Sequence, residues 1–250
     1  MKIKISLVSY LNTLPFLYGI NKTAFNNETE LQSDIPSVCA QKLINKDVDL
    51  GLVPVATLPY LKDYHIVSDY CIGAKGKVNS VLLLSDVPLN EIEEVYLDYQ
   101  SRTSINLTKV LAKNYWNIAP KWKNSEAGYE NHILGKTAGV IIGDRTFNLN
   151  KEYKFKYDLA EEWFNFTQLP FAFACWVSNK ELDKSFIEEF NNALSFGVSH
   201  IPESISLANN DQVHEKDLLK YLTEDIDYNL DNDKRKSIQL FLEYLTEITD

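Results

Sequence analysis

The chain has 250 residues, above the common single-domain size of about 100–150 residues, so one large domain or two smaller lobes both fit. Its 45% hydrophobic and 24% charged residues are those of a folded globular protein and exclude a long disordered tract. The formal charge is −10, and of 25 basic side chains only Arg102, Arg145 and Arg235 are arginines; phosphate backbones are held by clustered Lys and Arg, so no nucleic-acid partner is expected.

A first strand is predicted over 3–8, where Ile3, Ile5 and Leu7 alternate with Lys4 and Ser6. It runs directly into Ser9-Tyr10-Leu11-Asn12-Thr13-Leu14-Pro15-Phe16. No apolar segment with a cleavage site precedes the strand, so a cytoplasmic protein without a secretory signal is expected. Ser37 opens a helix in which Val38, Leu43 and Ile44 share a face, and an apolar strand over 49–53 follows. Further strands are predicted at 66–72, 81–85 and 94–98. Thr103 or Ser104 then caps a helix carrying Leu107, Val110 and Leu111 to about Tyr115. Strands at 138–142 and 173–178 come next, and beyond residue 180 the pattern is helical, over 181–196, 212–223 and 232–247. No stretch approaches the ~18 apolar residues of a membrane span, so no membrane partner is expected. Cys39, Cys71 and Cys175 form no C-x-x-C pair and have apolar neighbours, as buried free thiols in a reducing compartment would.

Strands alternating with helices imply an α/β fold with a largely parallel sheet. Segments 43–54 and 133–144 repeat one shape: a helix end, a short turn, an apolar strand and a loop. Two α/β lobes of similar plan would produce that echo, and strands 81–85 and 173–178 are spaced to cross between them. The expected division is 1–84 plus 177–250 for lobe one, C-terminal helices included, and 85–176 for lobe two.

Ligands of open α/β sheets bind outside the carboxyl ends of the strands. Four such ends carry unusual loops: Ser9 to Phe16; Val53-Pro54-Val55, suited to shaping a wall; Ser101-Arg102-Thr103-Ser104; and Gly143-Asp144-Arg145-Thr146. The third combines a helix start, with its unpaired N–H groups and partial positive charge, with three hydroxyls and a guanidinium, which makes a seat for a carboxylate. Plain N-capping by Ser and Thr gives the same pattern, and a surface ion pair competes with a binding role for Arg145. No G-x-x-x-x-G-K-[ST], G-x-G-x-x-G or H-E-x-x-H occurs, and His65, His132, His200 and His214 have no metal-ligand spacing. Hydrolysis by a triad or a metal is not expected. Trp163, Phe171, Phe173 and Trp176 read as packing in the core or between lobes.

With these loops in place, the sequence resembles the chorismate dehydratase family of the futalosine route to menaquinone over nearly its whole length. The resemblance is carried by Ser9-Tyr10-Leu11-Asn12-Thr13-Leu14-Pro15, Pro36-Ser37, Asp49-Leu50-Gly51-Leu52-Val53-Pro54, Lys77-Val78-Asn79-Ser80, Ser101-Arg102-Thr103-Ser104, Ile142-Gly143-Asp144 and Tyr157-Asp158-Leu159-Ala160-Glu161-Glu162-Trp163, in the family's order. Asn79 stands where many relatives have Arg, and Ala160 where they have Gly. The resemblance implies a type II periplasmic-binding-protein-like fold, two α/β lobes around a central cleft. It also implies conversion of the dicarboxylate chorismate to 3-[(1-carboxyvinyl)oxy]benzoate and water, by a carbon–oxygen lyase with no metal or organic cofactor, as monomer or homodimer.

For that chemistry Asn12 and Ser80 are expected to orient the hydroxyl and the enolpyruvyl carboxylate. Ser9, Tyr10, Val53, Pro54, Asn79, Ser101, Arg102, Thr103, Ser104 and Gly143 are expected to bind substrate. The family points to the substrate's own enolpyruvyl carboxylate as base, with Asp144 as the competing protein base. Two alternatives stand beside it. One is 1,4-dihydroxy-6-naphthoate synthase of the same pathway, which needs a histidine base in its site. The other is a non-catalytic protein that binds a small anion.

Overall fold

In the computed structural model of the protein, residues 2–149, 151–208 and 213–249 are described. The elements in chain order are β1 (Ile3–Val8), α1 (Leu14–Lys22), β2 (Thr29–Asp34), α2 (Pro36–Ile44), β3 (Leu50–Pro54), β4 (His65–Ala74), β5 (Val81–Ser85), β6 (Glu94–Leu97), α3 (Thr103–Leu111), β7 (Lys121–Asn124), β8 (Thr137–Ile142), β9 (Phe155–Asp158), α4 (Leu159–Thr167), β10 (Phe171–Ser178), α5 (Lys184–Ser199), α6 (Ile201–Ser204), α7 (Glu215–Lys220), β11 (Asp227–Asn229) and α8 (Asn232–Thr249). Every residue of β3, β5 and β10 is buried, so these continuous apolar runs are central strands covered on both faces. The polar strands β2 and β7 sit at sheet edges.

The strands form two sheets, ordered β11-β4-β10-β3-β1-β2 and β7-β6-β8-β5-β9. Neither is largely parallel, contrary to the sequence expectation. β1 pairs in parallel with β2 and β3, and β6 with β7 and β8, but β10 is antiparallel to both β3 and β4, and β5 to both β8 and β9. The reason is topological: β5 and β10 arrive from the other sheet rather than through a crossover helix within their own, so nothing imposes parallel pairing. β5 lies wholly in the second sheet and β10 wholly in the first. We therefore propose that the lobes part within 75–80 and 159–170, in place of the breaks at 84/85 and 176/177.

One principal core runs through both sheets, and a smaller cluster of Leu82, Leu84, Tyr129, Ile133, Ile141 and Tyr153 backs the second. Trp163 is fully buried, packs edge-on against Phe171 at 5.3 Å and donates its indole N–H to Ser237 Oγ at 2.9 Å. α1 and α5 touch backbone to backbone at glycines. A Cβ on Gly19 would lie 2.0 Å from Ala193 O, and one on Gly197 1.8 Å from Pro15 O. The three cysteines are buried free thiols, and burial pushes Cys39 up to about 11 and Cys175 to about 12, which keeps both protonated. No helix among the described residues is long and apolar enough to cross a membrane.

Candidate functional site

The loop after β1 is set by Thr13, whose hydroxyl donates to Val8 O at 2.6 Å and closes a tight turn before Pro15 opens α1. That turn directs Asn12 into a cavity between the two sheets. The Asn12 backbone oxygen accepts from Tyr228 Oη at 3.0 Å, its amide Nδ2 donates to Tyr221 Oη at 3.4 Å, and its Oδ1 is buried without a partner. A buried carbonyl without a partner among the described residues is costly, and this one can accept a hydrogen bond that those residues do not supply.

Ser80 stands on the far side of Tyr221. Its backbone oxygen accepts from Gly143 N at 2.8 Å, extending the β5–β8 ladder, so Ser80 is fixed to the second sheet and not, as expected, to a loop of the first. Its side chain is buried, and its Oγ accepts from Tyr221 Oη at 2.8 Å. Gly143 adopts φ +62°, and a Cβ there would come within 2.9 Å of the Tyr10 ring, so a glycine lets Tyr10 close over the cavity. Tyr10 then donates to Gln100 Oε1 at 2.5 Å, a bond from the loop after β1 to the loop after β6.

The start of α3 supplies Ser101, Thr103 and Ser104 to the cavity. Their hydroxyls are not equivalent. Thr103 Oγ1 donates to Phe173 O at 3.0 Å and accepts from Ala56 N at 3.3 Å, so it joins β10 to the segment after β3. Ser101 Oγ caps the helix by accepting from Ser104 N at 2.9 Å and keeps its own proton to donate. The Ser104 hydroxyl has no protein partner among the described residues. Helix-start dipole and serine hydroxyls thus meet at one end of the cavity. The Arg102 guanidinium does not complete this seat: Arg102 is not among the lining residues.

Arg145 is occupied elsewhere. It pairs with the buried Asp98 and, at 2.7 Å, with Glu130, its guanidinium stacked over Tyr99 and Tyr129. This is an ion pair with one buried partner, not the surface pair weighed from the sequence. Asn79 is exposed and holds a left-handed φ of 58°, its N–H donating to Asp158 Oδ2 at 2.7 Å; it shapes the turn rather than the cavity. Tyr10, Asn12, Pro54, Ser80 and Gly143 line the cavity, whereas Val53 does not. Ser9 and Asp144 face a neighbouring pocket on the other side of Tyr10.

Asp144 accepts from Leu11 N at 3.1 Å, a second bond between the sheets. Burial raises its pKa from 3.8 to about 6, against the opposing pull of the Leu11 N–H. The folded state therefore binds this proton more tightly than the unfolded chain does. Its relative stabilisation is greatest below 3.8, is lost as pH rises to about 6, and above that the cost of the buried charge is complete. Asp144→Asn is expected to raise the thermal midpoint by roughly 2–6 °C at pH 7.5 and to give no gain at pH 4. A gain independent of pH would show that the charge is not its source.

Sequence reasoning missed Tyr221, because a tyrosine in an amphipathic helical stretch reads as ordinary packing. The apolar walls Ile72, Val78, Phe173 and Ile226 carried no chemical signal either. Tyr10 is the one ionisable side chain lining the cavity among the described residues, and burial, beside Asp98, raises its phenol well above the ordinary value. The arrangement can grip a small polar molecule but presents no protein base to it.

A family model described as menaquinone biosynthesis matches residues 3–247. A Thermus thermophilus protein named chorismate dehydratase is 26% identical over 96% of this chain and 94% of its own. Among solved structures, an Archaeoglobus fulgidus protein superposes with a TM-score of 0.76 at 14% identity, covering 99% of this chain and 98% of that one. A Candida albicans protein described as having the generic periplasmic binding protein fold gives 0.66 at 10% identity, over 100% and 92%. With two mixed α/β sheets facing a shared cavity, the fold is periplasmic-binding-protein-like.

Proposed function

The chain belongs to the menaquinone biosynthesis family, and from that premise we propose that it is a chorismate dehydratase, forming 3-[(1-carboxyvinyl)oxy]benzoate and water. The observation that carries this reading is a mainly apolar cavity into which Asn12, Ser80, Ser101 and Ser104 bring a few hydrogen-bonding groups, without a carboxylate or imidazole among its described lining residues. Chorismate needs no such group, because it brings its own carboxylate.

The hydroxyl and the enolpyruvyl ether of chorismate lie trans on adjacent ring carbons. The hydrogen on the ether carbon is therefore on the face of the departing hydroxyl, and loss of water is syn. That hydrogen is acidified through the ring diene by the ring carboxylate. The substrate's enolpyruvyl carboxylate takes it, the electron pair enters the ring, the C–O bond to the hydroxyl breaks, and the carboxylic acid passes the proton to the departing hydroxide, which gives water, an aromatic ring and the restored carboxylate. The protein's work is positional. The α3 start with Ser101 and Ser104 holds one carboxylate, Asn12 and Ser80 orient the hydroxyl and the enolpyruvyl arm, and hydrogen bonds already in place support the developing charge. Asp144, set behind Tyr10 and outside the cavity lining, is the weaker candidate for base. Asp144→Asn is expected to keep turnover within about threefold of wild type, whereas loss of turnover with binding intact would return the role to Asp144.

None of the four histidines lines the cavity, which disfavours the related naphthoate synthase reading. Incubation of the purified protein with chorismate, followed by mass spectrometry, is expected to show a product lighter by one water. Unchanged chorismate bound stoichiometrically would support an anion-binding protein and overturn the proposal.

A further inference from the structure

Tyr221 sits in the turn that follows α7, fully out of solvent contact, with its ring edge-on to Phe147 at 5.1 Å. Its hydroxyl is the single atom joining Asn12 to Ser80: it accepts from Asn12 Nδ2 at 3.4 Å and donates to Ser80 Oγ at 2.8 Å. These two bonds have a consequence for the direction of every proton around them. With Nδ2 committed to the phenol, the other end of the Asn12 amide, Oδ1, is the end left unpaired, and it can only accept. With its lone pair engaged by the tyrosine proton, Ser80 Oγ has its own hydrogen free to donate.

The pair therefore offers one acceptor beside one donor. A carboxylate accepts only and cannot satisfy both. A hydroxyl does both, donating its proton to Asn12 Oδ1 and accepting from Ser80. We propose that Tyr221 is a positioning residue that fixes proton direction at Asn12 and Ser80, so that the two together recognise the substrate's hydroxyl and Ser80 donates a hydrogen bond to it as it departs. This rests on the dehydratase reading and narrows it: the carboxylates belong to the α3 end of the cavity, and the leaving group belongs here.

The test is Tyr221→Phe, which removes one oxygen and keeps the ring against Phe147. kcat is expected to fall about 10–100-fold with KM changed less than about threefold, and the thermal midpoint should confirm a folded protein. Because Tyr221 acts through Asn12 and Ser80, the double variant with Ser80→Ala is expected to be slower than Ser80→Ala alone by far less than the effect of Tyr221→Phe in the wild-type protein. Affinity for 3-[(1-carboxyvinyl)oxy]benzoate, which lacks the hydroxyl, should stay within about threefold of wild type. Turnover of Tyr221→Phe within threefold of wild type, multiplying effects in the double variant, or loss of product affinity would each overturn the assignment. If the wild-type protein does not turn over chorismate, the dehydratase reading falls and the hydrogen-bond relay is judged by NMR of the Asn12 side-chain NH₂. Exchange with solvent at least about tenfold faster in Tyr221→Phe than in wild type supports the relay, and equal exchange overturns it.

Discussion

Ser80→Ala is expected to lower kcat by about 10²–10³-fold while leaving the fold intact, the loss typical of removing one preorganised donor from a reacting oxygen. The serine keeps its place through its backbone, by the bond from Gly143 N to Ser80 O, and not through its hydroxyl. What disappears is the donor beside the unpaired Asn12 Oδ1. The remaining donors at Ser101 and Ser104 lie at the start of α3, where the proposed reading seats a carboxylate, so they do not substitute. Steady-state kinetics with chorismate decides the matter, and a fall of less than tenfold would remove Ser80 from the chemistry.

Gly197→Val carries the largest expected cost in stability. The added Cβ alone would stand 1.8 Å from Pro15 O and 2.8 Å from the Pro15 carbonyl carbon, and both are backbone atoms with no rotamer to give way. α1 and α5 must then separate, which loosens Phe16, Ile20, Ala193 and Leu194, all at or near zero exposure. Overpacking usually costs about 1–3 kcal/mol; with backbone on both sides the loss here is expected to exceed about 3 kcal/mol, a fall of roughly 6–12 °C in thermal midpoint. A midpoint within 2 °C of wild type would mean that the helices slide apart freely. Because Pro15 lies three residues beyond Asn12, surviving protein is also expected to lose activity.

The legible part of the fold was its apolar skeleton. β1, β3, β4, β5, β6, β8 and β10 announced themselves because their continuous or alternating apolar runs are of strand length and bounded by turn residues. β2 reads Thr-Glu-Leu-Gln-Ser-Asp and β7 Lys-Trp-Lys-Asn, edge strands whose exposed faces carry no hydrophobic period, so neither was visible. β9 and β11 are short for the same reason of marginal burial. At the site, the hydroxyl-rich start of α3 and the Asn12 loop could be read because helix caps and tight turns have a local vocabulary. Pairings across the chain have none: Arg102 and Arg145 look alike in sequence, yet Asp98 and Glu130 claim only Arg145. Tyr221 lies 141 residues from the serine it touches, and no local pattern spans that distance.

Ser80 lies at the end of one of the two segments that carry the chain from sheet to sheet, immediately before β5. Its peptide is stitched to the second sheet, while its hydroxyl is bonded by the phenol of Tyr221, on the turn that leads into β11 of the first. With that bond in place the serine hydroxyl has a single heading, and without it the hydroxyl would turn freely. Any movement of the first half against the second that broke this bond would also undo the orientation of the donor proposed for the leaving group.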